Sequence, residues 1–183
     1  MSELKDYSQD FKPDLKPEDF SKEILAELLK MYGRLYRAVD GYWYLAAMDK
    51  MDEKTATDLD FLVWEKMAKY EIEKLTKLLN IEGDDIPAFM KYFQLSPWVM
   101  NLECRMEVHN ARSGLLTVDR CYTLEALERE GKGRDNDFCK VVETKMFDMW
   151  AAAFNPKIKF IPVKLPPRKS KDEISCQWKA ELV

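Results

Sequence analysis

The chain has 183 residues, 46% hydrophobic and 34% charged, with only 6 Gly and 8 Pro; this excludes a low-complexity or disordered chain and leaves enough apolar mass for one core. A net charge of −4 argues against general nucleic-acid binding, because a phosphate backbone attracts a cationic surface. No apolar stretch approaches the ~18 residues that span a bilayer, and the first residues carry no charged-then-apolar signal, so a cytoplasmic protein with no membrane partner is expected.

Residues 1–16 are polar and read as an N-terminal arm ahead of a single domain over 17–183. From Pro17 onward, Phe20, Ile24, Leu28, Met31, Leu35, Val39, Tyr42 and Ala46 recur at spacings of three and four, which predicts one long helix with a buried stripe. Asp52 is a candidate N-cap for a second helix, whose apolar face runs from Leu59 through Val63, Met67 and Tyr70 to Leu79 and ends by Gly83. A short third helix is expected from about Asp85 to Leu95, since Ser96-Pro97 biases the chain out of helix.

The period then changes to two. Met100, Leu102, Cys104, Met106 and Val108 alternate with Asn101, Glu103, Arg105, Glu107 and His109, as a strand with one buried face requires. Helices over Thr123–Arg129 and Asp137–Phe154 follow, ended by Gly131 and by Asn155-Pro156. Residues 157–165 and 173–181 read as two closing strands, with Pro162 marking an edge or bulge. Without regular βαβ alternation, the expected fold class is α+β: an N-terminal helical hairpin and a short helix, packed with two further helices on a small antiparallel sheet of three or four strands.

Cys104, Cys121, Cys139 and Cys176 contain no Cys-x-x-Cys pair, so the local knuckle of a zinc site is absent. Cys139 and Cys176 fall on apolar faces and pack as small hydrophobes on the plainest reading. If a metal is bound, Cys121, Cys139 and Cys176 are its candidate ligands; the cofactor is otherwise undetermined. Cys121, between Arg120 and a helix start, is the preferred nucleophile, because a cation and a helix dipole lower a thiol pKa; Cys139 is the alternative. His109 is the sole histidine and pairs with Cys121 only if Ser113-Gly114 turns the chain back.

On the first two helices, Tyr36, Trp43 and Trp64 accompany Asp40 and Asp60. Carboxylates among apolar groups serve as acid or base, or bind a ligand amine. The alternative is packing, with Asp40 bonded to Trp or Tyr across the hairpin and Gly41 admitting a second backbone. Arg105, on the polar strand face, is a further candidate ligand contact. The stretch Lys157–Lys171 has six basic residues and no acidic one, which suits lysines guarding an edge strand.

The segments Tyr36-Arg37-Ala38-Val39-Asp40-Gly41-Tyr42-Trp43, Asp60-Phe-Leu-Val-Trp64, Phe138-Cys139-Lys140, Leu165-Pro166-Pro167 and Cys176-Gln-Trp178, with Cys121, span about residues 30 to 180. In them the chain resembles a family labelled L-2-amino-thiazoline-4-carboxylic acid hydrolase-like. Its end is also similar to the small-molecule-binding 4-vinyl reductase domain, with Ile174-Ser175 where that domain has Gly-Asp. The first resemblance implies hydrolysis of a cyclic amidine-like C–N bond by a cysteine nucleophile or polarised water with a carboxylate. Three functions stay open. The leading one is a small-molecule-binding domain with its pocket between hairpin and sheet, aromatics as walls and cysteines near the floor. The others are a hydrolase using Cys121 or Cys139 with Asp40 or His109, and a cysteine-ligated metal or redox protein. A small organic ligand is the expected partner, with a second copy of the chain as an open addition.

Overall fold

The computed structural model describes residues 3–183. Pro17–Asp19 forms a 3-10 turn rather than the first turn of the long helix. Helix α1, Lys22–Met48, starts after Ser21, whose Oγ accepts the Ile24 N–H at 3.4 Å. The arm folds back on this start: Leu4 is buried, donates to the Asp19 carbonyl at 2.8 Å and accepts from the Ser21 N–H at 2.9 Å. Asp52 caps α2, Glu53–Leu78, through the Thr55 N–H at 2.9 Å. The helix stops before Gly83, and Asn80, with φ of 48°, turns the chain. Asp85 caps α3, Ile86–Phe93, in the same way.

A four-stranded antiparallel sheet follows, in the order β1-β2-β4-β3. Its strands are β1 Glu103–Asn110, β2 Ser113–Arg120, β3 Ile158–Lys164 and β4 Cys176–Leu182. Met100 and Asn101 lie in a 3-10 turn, so the first strand starts later than the alternation suggests. Strand β2 has no counterpart among the predicted elements. It is central, and Leu116, Thr117 and Val118 are buried in succession, so the alternation that announces a half-exposed strand is absent. Between β2 and β3 come α4, Tyr122–Glu130, a π-helical turn at Cys139–Glu143, and α5, Thr144–Phe154. Helices and antiparallel sheet together make the α+β fold.

The core lies between the sheet and helices α3 and α5. Phe147 packs on Trp178 of β4 at 4.6 Å and on Phe160 of β3 at 5.1 Å between ring centroids; Phe93 joins Phe147 and Phe160 from α3. A second aromatic group, Trp64, Trp98 and Trp150, ties α2 to α5. No helix among the described residues is long and apolar enough to cross a membrane.

Helix α1 corrects one expectation. The stripe Met31, Leu35, Val39, Tyr42 is exposed, not buried. The helix packs by its other face, where Gly33 lies against Asn101 and Pro97, and Tyr36 meets the Trp64 ring edge-on at 5.6 Å. Both faces of α1 are apolar, so spacing alone did not distinguish the one that meets the core.

Candidate functional site

A cavity of about 820 Å³ opens between α1, α2, α4 and the π-helical turn. Trp64, Trp98, Tyr122, Phe138 and Met146 supply apolar wall. Four carboxyl groups line it, Asp40 from α1, Asp60 from α2, Glu130 from α4 and Glu143 from the π-helical turn, together with the guanidinium groups of Arg34, Arg37, Arg129 and Arg134. A small recess of about 30 Å³, room for a water or two, is lined by several of the same residues. Cys121, Cys139 and Cys176 line this recess with Val118 and Trp178 of the sheet, whereas no cysteine and no strand residue lines the cavity, so the expected pocket between hairpin and sheet with cysteines near its floor gives way to one walled by helical segments. The size and mainly apolar lining fall within the range of small-molecule sites, about 300–1,000 Å³.

The carboxyl groups are the unusual chemistry of this cavity. Trp64 Nε1 donates to Asp40 Oδ1 at 2.9 Å, the bond across the hairpin that packing anticipated. Burial raises the Asp40 pKa, which that bond and Arg37 hold back. Burial first and the neighbouring Asp40 charge second push Asp60 up to about 7. Asp40 and Asp60 lie close enough for one carboxyl to hydrogen-bond the other, and Asp60 Oδ1 is buried with no further partner. Burial likewise pushes Glu143 up to about 7, opposed by Arg37. Two adjacent carboxyls and a third nearby thus disfavour full ionisation, and protons are held here near neutral pH. Arg37 is itself fixed, donating to the Thr123 hydroxyl at 2.5 Å and stacking 5.0 Å over the Trp98 ring.

Among the other sequence candidates, Tyr36 packs on Trp64 behind the wall, its hydroxyl buried without a partner. Cys121 caps α4 through the Leu124 N–H at 3.5 Å, but the activation expected of it is reversed: burial is the largest influence and raises the thiol pKa, while the Arg120 side chain pairs outward with Glu125 at 2.6 Å. Burial raises the Cys139 and Cys176 thiols as well. No group of three Cys, His, Asp or Glu among the described residues is arranged to hold a metal ion. The Cys121–His109 pair does not form. His109 lies on exposed β1 near the turn, about 20 Å along the strand from the end beside Arg120. Arg105 is on the outer sheet face, bonded to Asp119 at 2.8 Å, and Trp43 is exposed on α1 outside the cavity lining. Gly41 admits no second backbone: nothing lies within 4 Å of its Cβ direction, and it lines the cavity.

Glu143, Arg37 and Trp98 are site residues that sequence patterns did not single out. Arg37 precedes Asp40 by three residues, a spacing that places both on one helical face. Glu143 ends a π-helical turn, where an extra residue breaks the 3.6-residue register and no helical wheel places it; such turns recur at functional sites.

Residues 18–182 match a family of unknown function, DUF6125. The chain belongs to that family. No curated protein matches it, and no solved structure does. The match takes in all of α1 to β4, so this DUF6125 chain contains every wall of the cavity within its family region.

Proposed function

We propose that this DUF6125 protein binds a small organic molecule in the cavity between the helical hairpin, α4 and the π-helical turn. The observation that carries this reading is the cavity of about 820 Å³ itself, with its aromatic walls and the carboxyls of Asp40, Asp60 and Glu143 among its lining residues. Tryptophan and methionine walls favour an apolar or aromatic body, the protonated carboxyls hydrogen-bond a neutral polar group, and the arginines favour an acidic one. The four free thiols support a reducing, cytoplasmic setting.

The test uses an apolar fluorescent probe, anilinonaphthalene sulfonate, titrated into wild type and Gly41→Phe. The phenylalanine fills open cavity space without meeting protein atoms at its Cβ. One site per chain is expected in wild type, with at least a tenfold loss in the variant at unchanged circular dichroism. Equal binding by both removes the reading.

A second reading, hydrolysis of a cyclic C–N bond in the same cavity, is supported by carboxyls that titrate near 7, where an acid or base works best at neutral pH. Its nucleophile would then be water activated by Asp60 or Glu143 rather than a thiol held protonated by burial. Turnover of 2-amino-thiazoline-4-carboxylate that disappears in Asp60→Asn supports it; no turnover by wild type rejects it.

A further inference from the structure

The exposed face of α1 carries its own pattern. Leu28, Leu35 and Tyr42 repeat every seven residues, and Tyr32, Val39 and Ala46 each follow four positions later. Alternating spacings of four and three form the heptad seam through which helices pair, each apolar knob seated among four residues of the facing helix. Among the described residues nothing covers the middle of this seam: Tyr32 is 62% exposed, Leu35 52%, Val39 69% and Tyr42 75%. Leu29, Met31, Trp43 and Leu45 widen it on both sides and are also exposed. Between Leu28 and Ala46 the charged residues are Lys30, Arg34, Arg37 and Asp40, all at heptad positions away from the seam and its flanks.

We infer that this face is the interface between two copies of the chain, α1 against α1 across a two-fold axis. Partner choice between different helices is normally set by charges flanking the seam, and here the flanks are apolar, so the surface is complementary to itself. The eight exposed side chains offer on the order of 800 Å² per copy, about what each partner of a stable interface buries. A membrane surface is a poorer occupant, since the chain carries a net charge of −4 and anionic lipid repels it. Tyr42 and Leu45 also line the cavity, so the second copy borders its mouth.

Sedimentation velocity of the full chain across the micromolar range tests this. A species of twice the 21.6 kDa chain mass is expected, and the Leu35→Glu, Val39→Glu double variant is expected as a folded monomer by circular dichroism, since both side chains face solvent in the isolated chain. A wild-type chain that sediments as a monomer throughout overturns the inference, whether or not the variant folds. So does a folded variant that stays dimeric, or a monomer that floats with phosphatidylserine vesicles. Probe binding in the cavity is read separately, so a monomer with an intact site rejects the interface alone.

Discussion

The indole of Trp64 on α2 donates to the Asp40 carboxyl on α1 at 2.9 Å, so one bond both closes the helical hairpin and holds a charge at the cavity wall. Trp64→Phe keeps the apolar contact and deletes the donor, leaving Asp40 half-buried without a tryptophan partner. The expected loss is about 1–3 kcal/mol at pH 7 by urea denaturation. It should shrink as pH is lowered and Asp40, whose pKa burial raises, takes up a proton and needs the donor less. A loss that does not change with pH would assign the effect to packing.

Stability should fall as pH rises. Asp60 and Glu143 are both pushed up to about 7, above their ordinary carboxylate values. Between those ordinary values and 7 the folded chain binds more protons than the unfolded one, so the slope of stability with pH is negative. The contribution is complete below the unfolded values and lost as pH passes through 7. Across pH 5 to 8 the decline should be about 2 kcal/mol, reduced from the full shift by water in the open cavity. Asp60→Asn should flatten much of it. Surface carboxyls with lowered pKa, such as Asp52 and Asp119, act in the opposite sense but below this window. Thermal melts at four or five pH values decide, and a flat profile in wild type contradicts the buried carboxyl cluster.

Thiol chemistry gives a third check. Burial is the largest influence on Cys104, Cys121, Cys139 and Cys176 and raises each of them. A thiol reagent reacts with thiolate, so at pH 7.5 all four should label at least ~10-fold more slowly in the folded protein than in denaturant. A single fast-labelling Cys121 would restore the nucleophile that its place before α4 suggested.

The sequence was most legible where local rules act alone. Asp52 and Asp85 cap the helices that their positions announced, and Gly131 ends α4 with φ of 67°. It was least legible where tertiary packing chooses between two acceptable local patterns. Helix α1 has apolar residues on both faces, and only the fold shows that Gly33, Tyr36 and Asp40 turn inward while Leu35 and Val39 do not. The central strand β2 loses its alternation because Thr117, on the outer face, is buried between Leu116 and Val118. At the site, Asp40, Asp60 and Trp64 were readable as carboxylates amid aromatics. Cys121 was misread because the chain gives no sign of burial: proximity to Arg120 in sequence implied a cation beside the sulfur, and that arginine turns to Glu125.

The two glycines of α1 should respond oppositely to alanine. At Gly33 an added methyl would overlap the Asn101 amide and come within 3.2 Å of the Pro97 carbonyl. Neither group yields easily, because the Asn101 amide is itself bonded to that carbonyl at 2.9 Å. Gly33→Ala should therefore cost about 1–3 kcal/mol, as overpacking does, although alanine is the better helix former. At Gly41 the methyl meets nothing within 4 Å, so only the propensity gain remains, up to ~1 kcal/mol of added stability. Thermal melts of the two variants separate the effects. Opposite signs would establish that α1 docks on the Val99–Asn101 turn at one end and faces an open cavity two turns later, whereas a shared sign would mean that the helix is rotated from the packing described.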